Sequence, residues 1–315
     1  MNNSAAAAAI GVKVSAGAMH RGRKRHQFTA LRLSGQSLKQ PTGAVSGWRV
    51  MLEITNADYH ADPAISASHL HAVAQSPYHY WSRFLDPDRK PVEPTAAMRF
   101  GSLVHCAVLE PDELGKRYSR CAPRNTKAGK EQAADLAARG IEAVSDSDWA
   151  LAIAMNNAVR RHPAAAALLQ AGKAEQSFWW DDPDTGLRCK CRPDWLNGAA
   201  VVDLKTTTDA SPRGFAKSVA TFRYHVQASH YLSGLGAERF FFIACEKAYP
   251  HPIAVYELDA EALQLGNELR QRDMRVIADC RATNEWPGYG DDVQTLSLPK
   301  WALNPDSTVL TSDDF

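Results

Sequence analysis

The 315-residue sequence predicts an α/β fold, a central mixed sheet flanked by helices, in the order helix, three strands, helix, strand, with a helical insertion after the first helix. Three observations predict it. Residues 96–109 place Phe100, Leu103, Val104, Ala107 and Val108 on a stripe of 3.6-residue period, as an amphipathic helix requires. Residues 175–180, 187–194 and 200–206 read as strands, separated by the turn-forming run Asp181-Asp182-Pro183-Asp184-Thr185-Gly186 and by Asn197-Gly198. After a helix at 222–235 that ends on Gly236, Arg239-Phe240-Phe241-Phe242-Ile243-Ala244-Cys245 reads as a strand buried on both faces.

The remaining elements follow in order. Residues 1–50 hold eight Lys or Arg and no Asp or Glu, and they show no sustained periodicity. They read as a disordered basic tail or as sequence upstream of a functional start at Met51. A single domain is expected over 51–303, with the insertion at about 112–173 and a flexible terminus at 304–315. Ser66 or Ser68 caps a helix running toward Ala74, and Pro77 starts another with Tyr80, Trp81 and Phe84 for burial. The insertion contains a basic, mobile-looking tip, Thr126–Lys130, then helices at 131–139, 145–160 and 164–172. Ser145 with Asp148 resembles a capping arrangement. A strand at 253–258 and a long amphipathic helix at 260–280 close the core. Trp286 and the stretch Leu298-Pro299-Lys300-Trp301 are expected to pack back on the body.

Composition excludes several classes. The net charge is +1, but residues 51–315 carry 28 basic against 35 acidic residues, about −7. A nucleic-acid protein with so acidic a body needs local basic patches and cations to neutralise its carboxylates. No apolar run reaches the ~20 residues of a membrane span, and residues 5–10 make a poor secretory signal. The six cysteines lack any Cys-x2-Cys pair, which argues for a reducing compartment and against a metal–sulfur site. A cytoplasmic protein is expected. No G-x-x-x-x-G-K-[ST] loop occurs, so the chain is not an ATP-driven helicase–nuclease.

The chemistry concentrates in residues 192–206. On a hairpin turning at Asn197-Gly198, Asp203 and Lys205 lie two apart and share a face, while Val202 and Leu204 point to the buried side. The hairpin returns Asp194 beside that pair. Two carboxylates and an ammonium suit a divalent metal with a phosphate alongside. Gly101 and His105 are four apart on one helical face, and so are Gln227 and Tyr231, with Tyr224 three before Gln227.

Gly101-x-x-x-His105, Pro193-Asp194, Asp203-Leu204-Lys205 and Gln227-x-x-x-Tyr231, in this order and on these elements, resemble the PD-(D/E)XK nuclease superfamily and, within it, the RecB-like group. Residues 125–131, 201–208, 224–231 and 298–302 look like the exonuclease VIII (RecE-type) nuclease domain, and the resemblance covers roughly Ile54 to Ala302. It implies a nuclease core and an Mg²⁺-dependent (Mn²⁺ as substitute), ATP-independent exonuclease of duplex DNA. Such an enzyme works from 5′ ends and leaves 3′ tails for a single-strand annealing (RecT-like) partner in recombination or repair. It also implies a homo-oligomer, a tetrameric ring. Some relatives hold an iron–sulfur cluster with a Cys before Pro-Tyr; here that position is Ser76, so no cluster is expected.

The resemblance assigns Asp194, Asp203 and the Leu204 carbonyl to metal, with His105 reaching it from the helix and Glu175 as a third acid. Lys205 stands beside the scissile phosphate as base or electrostatic stabiliser, and Gln227 holds Lys205, the water or a phosphate oxygen. Tyr231, Tyr224, Arg192, Arg124, Lys127 and Lys130 are the candidate DNA contacts, and Lys190 shares the face of Arg192 and Asp194. Plainer readings stand beside these: a turn role for Asp194, a core role for His105, a salt bridge for Lys205, a stripe aromatic for Tyr231, and surface positions for Glu175, His225 and His230. Alternatives in function are a RecB-like endonuclease or single-strand nuclease, or a catalytically silent DNA-binding subunit. The intact Asp…Asp-x-Lys set argues against the last.

Overall fold

Side-chain caps fix where the principal helices begin. Thr95 accepts from the Met98 amide at 3.2 Å, Ser145 from Asp148 at 3.0 Å and Asp259 from Ala262 at 2.8 Å. A computed structural model describes residues 49–51, 54–90, 92–198, 200–299 and 303, all within the unit Ser37–Phe315.

The chain opens with β1 (Arg49–Met51), α1 (Asn56–Ala61), α2 (Ala67–Val73), α3 (Pro77–Phe84) and α4 (Ala96–Leu109). The insertion follows as α5 (Pro111–Arg117), β2 (Tyr118–Arg120), α6 (Lys127–Ala138), β3 (Glu142–Val144), α7 (Asp146–Arg161) and α8 (Pro163–Leu168). Next come β4 (Lys173–Ala174), β5 (Ser177–Asp181), β6 (Arg188–Cys191), β7 (Trp195–Asn197) and β8 (Ala200–Thr207). The chain continues through α9 (Pro212–Thr221), α10 (Tyr224–Leu235), β9 (Arg239–Glu246), β10 (Ile253–Glu257) and α11 (Ala260–Thr283).

A five-stranded mixed sheet, ordered β10-β9-β8-β7-β4, carries the core; β8 and β9 run parallel and the other pairs antiparallel. β9 alternates across it. Phe240, Phe242 and Ala244 pack with Val226 of α10, Met274 and Ile277 of α11 and Leu70 of α2. Phe241, Ile243 and Cys245 pack with Leu103 and Val104 of α4 and with Met155 and Val159 of α7. Burial on both faces is why this strand reads as continuously apolar. The α10–α11 contact is tight, and a Cβ at Gly266 would lie 2.3 Å from the His225 carbonyl oxygen.

The structure differs from the expected strand block in one consequential way. The runs at 175–180 and 187–194 are not single strands of one sheet. β5 and β6 belong, with β1, to a separate three-stranded antiparallel sheet, whereas β4 and β7 belong to the five-stranded one. The chain therefore crosses between sheets twice, at Glu175-Gln176 and at Arg192-Pro193-Asp194. Pro193 marks the second crossing because it has no amide hydrogen to donate to a ladder.

Smaller differences also have local causes. Thr126–Lys130 is not a loop tip: Thr126 caps α6, accepting from Gly129 at 3.0 Å. β1 takes in Arg49 and Val50, which were expected in the tail; the rest of the tail, the terminus at 304–315, Lys300 and Trp301 lie outside the described residues. Trp286 packs as expected, stacked on Tyr80 at 5.3 Å, but Leu298 is 61% exposed. All six cysteines are buried and free. Among the described residues, no helix is long and apolar enough to cross a membrane.

Candidate active site

The two crossings lie side by side. The Glu175 amide donates to the Asp194 carbonyl at 3.3 Å, so the junctions that break the strands bring two acidic side chains together. Glu175 holds a left-handed backbone (φ 52°), a conformation that costs a non-glycine residue about 1 kcal/mol. β7 begins at Trp195, opposite Val202, and just before that point the Asp194 carboxylate replaces the missing strand: its Oδ2 accepts from the Leu204 amide at 2.8 Å. The amide and carbonyl of one strand residue face the same edge, so the Leu204 carbonyl also opens toward Asp194.

From the other side α4 brings His105, whose Nδ1 lies 3.4 Å from Asp194 Oδ2. His105, Glu175 and Asp194 each offer a ligand atom, and all three atoms lie within 4.8 Å of one another. Burial, and then the neighbouring Asp194 charge, push the Glu175 carboxyl up to about 8. Two half-buried acids whose like charges repel, with an imidazole beside them, fit a divalent cation of the kind bound through oxygen and imidazole ligands.

The second half of the site sits on the opposite face of β8. Asp203, 1% exposed, is ion-paired with Lys205 at 2.7 Å, and Gln227 joins them, donating to Asp203 Oδ1 at 2.7 Å and accepting from Lys205 Nζ at 3.2 Å. The ammonium also lies 4.5 Å over the Tyr224 ring. Burial pushes the Asp203 carboxyl up to about 6 against the pull of Lys205. For Lys205, burial acts downward, but Asp203 and Asp194 outweigh it and the net shift is upward, so Lys205 stands here as a cation. Asp203, expected as a metal ligand, turns its oxygens to Lys205 and Gln227 and stays outside the trio.

Several candidate DNA contacts also have partners within the protein. Tyr231 is buried under Phe240, and its hydroxyl donates to the Arg192 carbonyl at 3.3 Å. The Arg192 guanidinium clamps the N-terminal segment, bonding Ser177 at 2.7 Å, Asn56 at 3.1 Å and the Ile54 carbonyl at 3.3 Å while covering the Tyr59 ring. Lys190 is buried on the same ring, donating to the Tyr59 and Asp62 carbonyls. His225 and His230 are buried, not surface residues. Arg124 donates to the Ala143 carbonyl of β3, and Lys127 and Lys130 stand on the exposed first turn of α6, with Lys127 3.9 Å from Glu131.

Phe222, expected as the first residue of the helix at 222–235, instead lies between α9 and α10, 55% exposed beside Tyr224 and ahead of the left-handed Arg223 (φ 56°); it was not among the expected site residues.

None of the curated proteins matches this chain. A solved structure of a Eubacterium rectale protein, provisionally described as an exonuclease, superposes with a TM-score of 0.56 at 15% identity, covering 81% of this chain and 99% of that one. That likeness shows the fold. The match to an alkaline exonuclease of Laribacter hongkongensis covers 72% of this chain and 95% of that one at 11% identity, with a TM-score of only 0.28. Residues 66–299 match the family described as a PDDEXK-like domain of unknown function (DUF3799), a span running from the cap of α2 past the end of α11 and holding the trio, the Asp203–Lys205 pair and Gln227. The chain belongs to that family, and its mixed sheet with flanking helices is the PD-(D/E)XK nuclease core.

Proposed function

We propose that the chain is a metal-dependent deoxyribonuclease that removes nucleotides from duplex DNA ends in the 5′-to-3′ direction, without ATP, leaving 3′ single-stranded tails for recombination or repair. The observation that carries this reading is the His105–Glu175–Asp194 trio at a sheet seam, with a fixed Lys205 ammonium on the adjoining strand. Mg²⁺, or Mn²⁺ in its place, suits the oxygen-rich donors, with the Leu204 carbonyl on the same edge. Such an ion, when bound, would lower the pKa of water and polarise the phosphate.

The chain's own residues do the positioning. Asp194 is held by the Leu204 amide, so its carboxylate stays aimed into the seam. Lys205 is held by Asp203, Gln227 and the Tyr224 face, and it presents a fixed positive charge where a phosphate gathers negative charge in the transition state. The partners that go with this reading are DNA ends, a single-strand annealing protein and further copies of the chain in a ring. The direction of attack rests on the resemblance to the exonuclease VIII branch. The E. rectale protein that shares the fold is itself provisionally described as an exonuclease.

The test uses linear duplex labelled at either 5′ or 3′ ends and closed circular duplex, with Mg²⁺ or EDTA and no ATP, for wild type and Lys205→Ala. Release of the 5′ label from linear DNA alone, dependent on Mg²⁺ and lost in the variant, is the expected result. Cutting of circles makes the protein an endonuclease. Inactive wild type with both Mg²⁺ and Mn²⁺ leaves a DNA-binding subunit.

A further inference from the structure

A cleft of about 580 Å³ opens beside the Lys205 side of the site and shares Gln227 and Tyr224 with it. That volume lies within the range of small-ligand sites. Its walls come from α1, α2, α3, α4 and α10, and include His60, His71, Arg83 and Phe222 but no Asp or Glu. In a body that is acidic overall, a wall without carboxylates is a favourable place for a phosphate. Arg83 has no carboxylate partner among the described residues, whereas the neighbouring Arg223 is consumed by the Leu70 carbonyl at 2.8 Å and by Asp273 at 2.5 Å. Burial holds His60 and His71 below the ordinary histidine range, so both rings offer neutral hydrogen-bonding nitrogens.

The aromatic pair gives the cleft its character. Phe222 and Tyr224 stack with ring centres 5.6 Å apart and 28° between planes; Tyr224 carries Lys205 above it, and Phe222 leaves more than half its surface to solvent. The exposed Phe222 ring thus stacks on the same ring that carries the Lys205 ammonium. Every base has a π-face that stacks on such a ring.

We infer that this cleft is a nucleotide subsite: Phe222, backed by Tyr224, stacks an unpaired base of the strand being cut, and Arg83 meets a phosphate of the same strand. The subsite rests on the nuclease reading above and deepens it, because a base held there has left its duplex partner. Phe222 and Arg83 position the substrate and touch no reacting atom.

The experiment uses linear duplexes whose 5′ strands end in three unpaired nucleotides, either normal or abasic, so that pairing is the same in both. Binding is followed by fluorescence anisotropy in EDTA, and first-nucleotide release is followed in Mg²⁺. Wild type should bind and cut the normal end at least about fivefold better than the abasic one, the scale of one stacked base. Phe222→Ala should lower binding of the normal end and leave the abasic end unchanged, and Phe222→Trp should restore the difference. Arg83→Gln should weaken both ends equally. A wild type indifferent to the missing bases, or a Phe222→Ala protein with the full difference, overturns the subsite. The binding arm decides this even if no strand is cut, which would count against the nuclease reading alone.

Discussion

Replacing Glu175 by Gln should make the metal-free protein more stable and blind to metal. Glu175 is half-buried against Asp194, and its carboxyl is pushed from 4.5 up to about 8. A folded pKa above the unfolded one contributes stability that is full below about pH 4.5 and is lost as pH rises through about 8. Taken whole, the shift is worth about 5 kcal/mol once both states are ionised, and residual solvent contact reduces the expected effect to on the order of 2–3 kcal/mol. The assay is urea unfolding of wild type and Glu175→Gln in EDTA at pH 5 and pH 8.5, followed by the same melts with millimolar Mg²⁺ or Mn²⁺. Glu175→Gln should gain on wild type as pH rises, while the increase in Tm that a ligand confers by binding only the folded state should appear in wild type and shrink in the variant. A variant no more stable than wild type at pH 8.5, or one with an undiminished metal-induced rise, would refute the argument from burial and like charge.

Lys205→Met should cut turnover by about 10² or more and destabilise by about 3 kcal/mol, because buried Asp203 loses its cation. The double variant Lys205→Met/Asp203→Asn should recover stability but not activity, and a double variant as unstable as the single one would show that the ion pair is not the cause. Tyr231→Phe should cost about 1 kcal/mol in urea unfolding, since the hydroxyl donates to the Arg192 carbonyl. A Cβ at Gly101 meets nothing within 4 Å, so Gly101→Ala should raise stability by up to about 1 kcal/mol with activity kept. Gly101→Trp, filling the face one turn from His105, should lower kcat/KM without lowering Tm.

The Asp203–Lys205–Gln227 half of the site was legible because both periods hold there. β8 is a regular strand, so residues two apart share a face, and Tyr224 and Gln227 share a helical face. The same arithmetic failed one turn later. Tyr231 shares Gln227's nominal face, but α10 is wedged between the sheet and α11, so nearly its whole circumference is covered, His225 and His230 included. The seam was not legible either. Alternation through Lys190, Arg192 and Asp194 continues past Pro193 as though one strand ran on, and nothing local to Glu175 announces a left-handed backbone. The partners of Arg192 were hidden for a related reason: its fork meets backbone carbonyls more than a hundred residues earlier in the chain, a pairing no local pattern records.

Because each acid sits where the chain changes sheets, the gap between them measures the angle at which the two sheets meet. A cation placed there would act as a rivet, and its affinity would report the stiffness of the joint as much as the quality of its ligands. Trp180 lies within the three-stranded sheet, pressed against Gly234 of α10, where an added Cβ would lie 2.5 Å from its ring. Reshaping that contact would tilt one sheet on the other and retune metal affinity without touching a ligand.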